Sequence, residues 1–127
     1  KKANKILGID ISEKMIKKAK EINLSLNIEY LVKDFYSLND INDSYDLVFS
    51  SLAIHYIQDF ENLTKQVRKL LKPKGTFLFS VEHPIFTAEG SQQWILDDKG
   101  IPMHWPVDRY YDESQRSSQF LGQTIIQ

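Results

Sequence analysis

Four polar residues, each at or just past the end of an apolar run, are the first candidates for chemistry in this chain. They are Asp10, Asp34, Ser50 and Glu82. In open α/β sheets, ligands bind beyond the carboxyl ends of the strands. A carboxylate held there accepts hydrogen bonds from hydroxyl or amino groups. Aspartate is also common in turns, because its side chain bonds nearby backbone amides. At this point both interpretations of Asp10 and Asp34 stay open.

Two histidines follow the same kind of strand end. His55 comes shortly after the run that ends at Ser50, and His83 comes after the run that ends at Val81. Either imidazole could act as a base or as a substrate ligand. The alternative for each is a structural, hydrogen-bonded histidine. Their spacing, with that of His104, matches no compact metal-ligand motif, so we predict no metal site.

Composition narrows the functional classes. The chain has 127 residues with 16 Lys+Arg and 17 Asp+Glu, a formal net charge of −1, which argues against a polybasic nucleic-acid surface. It has no cysteine, which excludes disulfides, thiolate metal ligands and cysteine nucleophiles. No apolar run approaches the roughly 20 residues of a membrane span. We therefore expect no membrane association, and a cytoplasmic location is the default expectation.

The elements that must position these side chains alternate along the chain. Apolar runs predict strands, and apolar residues at helical spacing predict helices capped by Ser12 and Asp59. The predicted strands are Lys5–Asp10, Ile28–Lys33, Tyr45–Ser50 and Thr76–Val81, and the helices run to about Asn23 and Lys72. Strands separated by helices indicate a mostly parallel sheet. The nearly continuous apolar strands predict burial on both faces.

The segment 82–118 shows no helix or strand period, and we interpret it as a lid or substrate-binding insertion. Its aromatic residues are Trp94, Trp105, Tyr110 and Tyr111. Together with nearby carboxylates they would suit a small cationic or aromatic molecule. The alternative is that they fix an irregular segment onto the sheet. Residues 119–127 resume as a predicted strand.

Four segments, in order and at the right spacing, resemble the class I S-adenosylmethionine-dependent methyltransferases. They are Gly8–Met15, Val32–Phe35, Tyr45–Ser51 and Leu70–Phe77. They are similar to the family's second strand, the residues after its third strand, its fourth strand, and the turn before its fifth. The likeness runs from about Lys5 to Val81. It implies an α/β, Rossmann-like fold with a mostly parallel sheet.

The resemblance implies S-adenosylmethionine as cofactor and assigns residues to its adenosine half. Asp10 matches the acidic residue that bonds the ribose hydroxyls, and Ile11 and Met15 would flank the adenine. Asp34 matches the residue that reads the adenine amino group, with Phe35 beside the ring.

At the other end of the cofactor, the resemblance implies that Ser50, Ser51 and Leu52 line the methionine moiety. His55 and His83 are the catalytic candidates.

The chain departs from the family at its beginning. The glycine-rich loop of such folds precedes the acidic residue by roughly 20 residues, and Asp10 stands too early for that. We therefore expect a fragment, truncated at both ends, that lacks the first strand, the glycine loop and the first helix. Within it we predict a cofactor-binding core at 1–81, a lid at 82–118 and a C-terminal strand at 119–127.

The leading functional hypothesis is methyl transfer to a small-molecule acceptor. A nicotinamide-dependent oxidoreductase fragment is an alternative, because an acidic residue at the end of the second strand also serves that fold. A non-enzymatic interaction module without cofactor is a third. An incomplete sheet leaves an exposed edge, so we also predict self-association.

Overall fold

A computed structural model describes residues 3–88, 91–120 and 123–126. The chain divides into two compact units. Unit 1 comprises Lys1–Val48 and Asp59–Phe77, and unit 2 comprises Phe49–Gln58 and Leu78–Gln127. Each unit is built differently, so the two are described separately.

Unit 1 begins with a β–α–β element. It consists of strand β1 (Ile6–Asp10), helix α1 (Glu13–Ile22) and strand β2 (Ile28–Val32). The two strands pair in parallel, with Ile6 opposite Ile28 and Asp10 opposite Val32. The Ser12 hydroxyl caps α1 by accepting the amide of Met15 at 3.3 Å. The predicted strand–helix–strand order and the parallel pairing are confirmed.

The core of unit 1 lies under helix α2 (Phe60–Leu70). Asp59 caps this helix, as predicted, through its Oδ1 and the amide of Asn62 at 2.8 Å. The apolar face of α2 buries Leu63, Val67 and Leu70, and Ile16 and Leu38 are also buried in this unit. Leu38 belongs to a 3₁₀ segment, Phe35–Asp40, that the sequence patterns did not predict.

Strands β3 (Tyr45–Ser51) and β4 (Leu71–Ser80) form a second two-stranded sheet. β4 begins at Leu71, directly after α2, whereas the sequence predicted helix to about Lys72 and strand only from Thr76. The residue before a proline favours extended backbone. Pro73 therefore ends the helix two residues early and allows the strand to start at once.

Several apolar strand residues are exposed, which differs from the prediction of strands buried on both faces. They are Leu47, Phe49, Leu78 and Phe79. Parallel sheets are normally covered by helices on both faces. In the described part of the chain, only α1 and α2 are long helices, and the strands divide into separate two-stranded sheets.

Unit 2 contains two antiparallel hairpins. Strands β5 (Ile95–Leu96) and β6 (Pro102–His104) form the first, within the segment predicted to be irregular. Strands β7 (Ser117–Phe120) and β8 (Gln123–Ile126) form the second. The single strand predicted at 119–127 is thus a pair, although 121, 122 and 127 lie outside the described residues. The division into core, lid and strand stays a prediction.

Candidate active site

Asp10, the last residue of β1, is anchored by one of its two carboxylate oxygens. Its Oδ1 accepts the amide of Ser12 at 2.8 Å, and the side chain is partly buried. This bond is the turn chemistry that the sequence left open. Within the described residues the other oxygen, Oδ2, has no hydrogen-bond partner. The carboxylate is therefore fixed in place with one oxygen available to a ligand.

Asp34 repeats this arrangement after β2. Its Oδ1 accepts the amide of Tyr36 at 3.0 Å and caps the 3₁₀ segment. The amide of Lys33 donates to the carbonyl of Asp10 at 2.9 Å, which continues the parallel pairing past both strands. Since β1 and β2 are parallel and in register, both carboxylates lie at the same edge of this sheet.

Exposed apolar side chains accompany these carboxylates. Ile11 is 67% exposed and Met15 is 58% exposed, while Phe35 is half-buried. A ligand that covered Ile11 and Met15 would remove apolar surface from water. Carboxylates for a vicinal diol and apolar side chains for a flat ring fit the adenosine half of S-adenosylmethionine.

In unit 2, the end of β3 carries a buried polar atom without a partner. The hydroxyl oxygen of Ser50 is buried and makes no hydrogen bond in the described part of the chain. Leu52 has a left-handed backbone with φ of 50°. Its amide donates a hydrogen bond to the carbonyl of Ser80 at 3.0 Å, which holds this conformation. Such conformations in non-glycine residues cost about 1–3 kcal/mol and cluster at functional sites. The hydroxyls of Ser80 and Ser51 bond each other at 3.3 Å.

A cavity of about 200 Å³ in unit 2 brings the two candidate histidines together. Its lining residues are His55, Glu82, His83, Pro84, Thr87, Glu113, Ser114 and Arg116. The sequence predicted His55 and His83 as separate candidates and Glu82 as a strand-end residue. In the structure all three residues line the same cavity, and all three belong to unit 2.

The hydrogen bond of His83 determines its tautomer. Its Nδ1 accepts the amide of Ile85 at 3.2 Å and caps the short 3₁₀ turn Pro84–Phe86. A nitrogen that accepts carries no proton, so neutral His83 holds its proton on Nε2. In this state His83 is a hydrogen-bond donor rather than a base.

His55 differs from His83 at the same ring nitrogen. Its Nδ1 is buried and has no hydrogen-bond partner among the described residues. A buried donor or acceptor without a partner costs about 1–3 kcal/mol, so this nitrogen is a position at which a bound ligand would gain a hydrogen bond. Its ring packs against Tyr56 with centroids 4.2 Å apart.

Sequence reasoning gave no site role to four of the lining residues: Pro84, Thr87, Ser114 and Arg116. Arg116 donates to the carbonyl of Pro84 at 3.3 Å, although 32 positions separate the two residues. No spacing rule links residues so far apart in an irregular segment. The only sequence signal was that Arg116 is one of few cations in a segment rich in carboxylates.

The pKa of Asp112 is shifted by its neighbours in this segment. Hydrogen bonds from Ser114 hold the pKa of the Asp112 carboxyl below its usual range, and the charges of Arg116 and Arg109 act in the same direction. The amide of Ser114 donates to Asp112 Oδ1 at 2.9 Å. The turn is therefore organised around an ionised aspartate.

The aromatic residues of the predicted lid pack mainly on one another. Trp105 stacks on Phe86 with centroids 5.7 Å apart, and Trp94 meets Trp105 edge-on at the same distance. The indole of Trp105 donates to the carbonyl of Ile85 at 3.1 Å. None of the lid tryptophans or tyrosines is among the described residues that line the cavity. This geometry favours the alternative in which the aromatics fix an irregular segment.

Comparison with known proteins identifies the family. The family model of the methyltransferase domain matches residues 1–79, which is more than half of the chain. The chain belongs to the class I S-adenosylmethionine-dependent methyltransferases. The expected fold class and the cofactor, S-adenosylmethionine, are thereby confirmed, and the nicotinamide alternative has no support.

Two solved structures are similar over most of the chain. One, from Listeria monocytogenes, is 48% identical with a TM-score of 0.83 over 98% of this chain and 56% of its own. The S-adenosylmethionine-dependent methyltransferase of Mesorhizobium loti is 41% identical with a TM-score of 0.79 over 90% of this chain and 52% of its own. The chain thus spans about half the length of these solved relatives.

A curated relative is named for its acceptor. The malonyl-[acyl-carrier protein] O-methyltransferase of Hamiltonella defensa is 30% identical over 98 residues, which are 77% of this chain and 37% of that protein. Among the described residues of this methyltransferase chain, no helix is long and apolar enough to cross a bilayer. The same residues contain no group of three or more metal-ligating side chains.

Proposed function

We propose that the protein transfers a methyl group from S-adenosylmethionine to a small-molecule acceptor bound in the cavity of unit 2. The observation that carries the proposal is the convergence of His55, Glu82 and His83 on one cavity. Its volume of about 200 Å³ is below the roughly 300–1,000 Å³ of drug-sized sites, so the proposed acceptor is smaller than a drug-sized ligand.

The proposed cofactor residues are those that the resemblance implies. In unit 1, Asp10 would accept the ribose hydroxyls through its free oxygen, and Asp34 would accept the adenine amino group. Ile11, Met15 and Phe35 would contact the adenine ring. In unit 2, Ser50, Ser51 and Leu52 would contact the methionine end, where Ser50 offers a hydroxyl without another partner.

S-adenosylmethionine supplies a methyl group on a sulfonium, so the transfer itself is an in-line displacement. The protein's main task is to align the acceptor. With its proton on Nε2, His83 would donate a hydrogen bond to an oxygen of the acceptor and orient it, and His55 would contact the same acceptor. If the acceptor must lose a proton, one of the carboxylates that line the cavity, Glu82 or Glu113, would take it.

Two substitutions at His83 separate this role from a structural one. His83→Asn keeps an acceptor near the position of Nδ1, so it preserves the cap on Ile85 and removes the Nε2 donor. His83→Gln places a donor near Nε2 and removes the cap. If His83 binds the acceptor, Asn lowers kcat/KM by about 10-fold and Gln retains more activity. If His83 is only a cap, the order reverses.

The assay uses the full-length protein and methyl-tritiated S-adenosylmethionine. Defined panels of small carboxylic acids, phenols and amines serve as acceptor probes, with protein and nucleic acid in parallel reactions. Label in a small molecule supports the proposal, and its acceptor is then used for the His83 variants. Label that enters only protein or nucleic acid overturns it. Self-association through a sheet edge and the cytoplasmic location stay predictions.

A further inference from the structure

The guanidinium of Arg116 donates hydrogen bonds to carbonyl oxygens in two separate segments of unit 2. One nitrogen donates to the carbonyl of Pro84 and to the hydroxyl of Thr87, each at 3.3 Å. The other donates to the carbonyls of Arg109 at 2.8 Å, of Tyr110 at 3.2 Å and of Asp112. Most of these carbonyls lie in irregular backbone, where no ladder supplies a donor.

Arg116 acts here as a hydrogen-bond donor to neutral groups. All five acceptors are carbonyl or hydroxyl oxygens, and in the described part of the chain Arg116 forms no ion pair with a carboxylate. A planar guanidinium carries five N–H donors in a fixed geometry, which lysine does not offer. This residue type is therefore suited to join two irregular segments.

The segment that Arg116 holds is the turn that carries His83. Two further hydrogen bonds from residues later in the chain hold this turn and the residue after it. The indole of Trp105 donates to the carbonyl of Ile85 at 3.1 Å, and the amide of Arg109 donates to the carbonyl of Ala88 at 3.3 Å. The amide of Ile85 in turn donates to His83 Nδ1. Arg116 also lines the cavity that contains His83.

We propose that Arg116 is a positioning residue for acceptor binding: it fixes the turn Pro84–Thr87, and through that turn it fixes the Nε2 donor of His83. This role rests on the function proposed above. It predicts that loss of Arg116 weakens acceptor use while leaving the adenosine-binding residues of unit 1 unaffected.

The test replaces Arg116 by methionine, which keeps much of the side-chain length and removes every donor. Arg109→Met is the matched control, because that side chain is exposed and its ion pair, with Asp108, is long at 3.8 Å. In the full-length protein we measure amide hydrogen exchange at Ile85 and Thr87, kcat and KM for the small-molecule acceptor found above, and binding of S-adenosylhomocysteine.

Arg116→Met is expected to speed exchange at Ile85 about 10-fold and to lower kcat/KM by about 10-fold, mainly through a higher acceptor KM. S-adenosylhomocysteine affinity stays within about twofold, and Arg109→Met changes none of these values. In a His83→Asn background the kinetic loss from Arg116→Met nearly disappears, because both changes act on one donor.

Unchanged exchange at Ile85 overturns the proposal, as does a kinetic loss that is additive with His83→Asn. If Arg116→Met does not fold, Arg116→Lys is tested by the same criteria. Its exchange rate at Ile85 and its acceptor KM are expected to lie between the wild-type values and those expected for Arg116→Met. A failure of the proposed function gives a different result. In that case His83→Asn alone, with Arg116 intact, does not change kcat/KM.

Discussion

The two units are stabilised by different means. Unit 1 consists of capped helices and paired strands around buried aliphatic side chains such as Leu63 and Val67. Much of unit 2 is irregular backbone joined by side chains that bond carbonyls, with Arg116 and Trp105 as the main donors. Under the proposed function, regular structure would hold the adenosine half of the cofactor and irregular backbone would hold the acceptor, and loops commonly carry such variable contacts.

The extent of the family match agrees with this division. The family model ends at residue 79, near the end of β4, whereas the cavity residues other than His55 all follow that point. The Listeria monocytogenes structure nevertheless matches 98% of the chain at 48% identity. The family model therefore covers the residues assigned to adenosine and stops before most of the residues that line the cavity.

The largest expected effect tests the apolar core of unit 1. Leu63 is 2% exposed, so Leu63→Ala should lower the free energy of unfolding by about 3 kcal/mol, through lost burial and a residual cavity. Urea unfolding of the full-length protein measures it. Lys65→Ala, on the exposed face of the same helix, should change stability by less than about 0.5 kcal/mol. A loss below about 1 kcal/mol for Leu63→Ala would contradict the comparison.

An intermediate effect tests the free oxygen of Asp10. Asp10→Asn keeps an Oδ1 acceptor for the Ser12 amide and replaces Oδ2 by an NH₂ group, which repels a diol donor. S-adenosylhomocysteine should bind the full-length variant about 10- to 100-fold more weakly by calorimetry. The control is Asp97→Asn, whose Oδ1 likewise accepts backbone amides, from Lys99 and Ile101. Equal affinities for both variants would remove Asp10 from the cofactor site.

The smallest effect concerns pH and the turn of unit 2. The pKa of Asp112 is lowered in the folded state, mainly by hydrogen bonds from Ser114. Its stabilising contribution is therefore complete above the unfolded pKa of about 3.9 and is lost as the pH falls through the folded value. Carboxyl titration by NMR should show the Asp112 pKa rising in Ser114→Ala and unchanged in Ser44→Ala. A Ser114→Ala variant with the wild-type pKa would refute this cause.

Local sequence patterns predicted most of unit 1. The Ser12 and Asp59 caps and the boundaries of α1, β1 and β2 depend on residues within a few positions of one another. One error had a local cause, because Pro73 ends α2 early and allows β4 to start at Leu71. Another arose where distant parts of the chain decide the outcome, since the exposure of Phe49 and Leu78 depends on what covers the sheet.

The sequence by itself determined the family, the cofactor and the candidates Asp10, Asp34, His55 and His83, because motif order and strand-end position are written along the chain. Only the tertiary structure decided that His55 and His83 share a cavity, that Arg116 also lines it, and that His83 Nδ1 accepts the amide of Ile85. These facts depend on hydrogen bonds between residues 32 positions apart, as in Arg116 and Pro84, or on burial. Irregular backbone has no repeating period from which such contacts can be calculated.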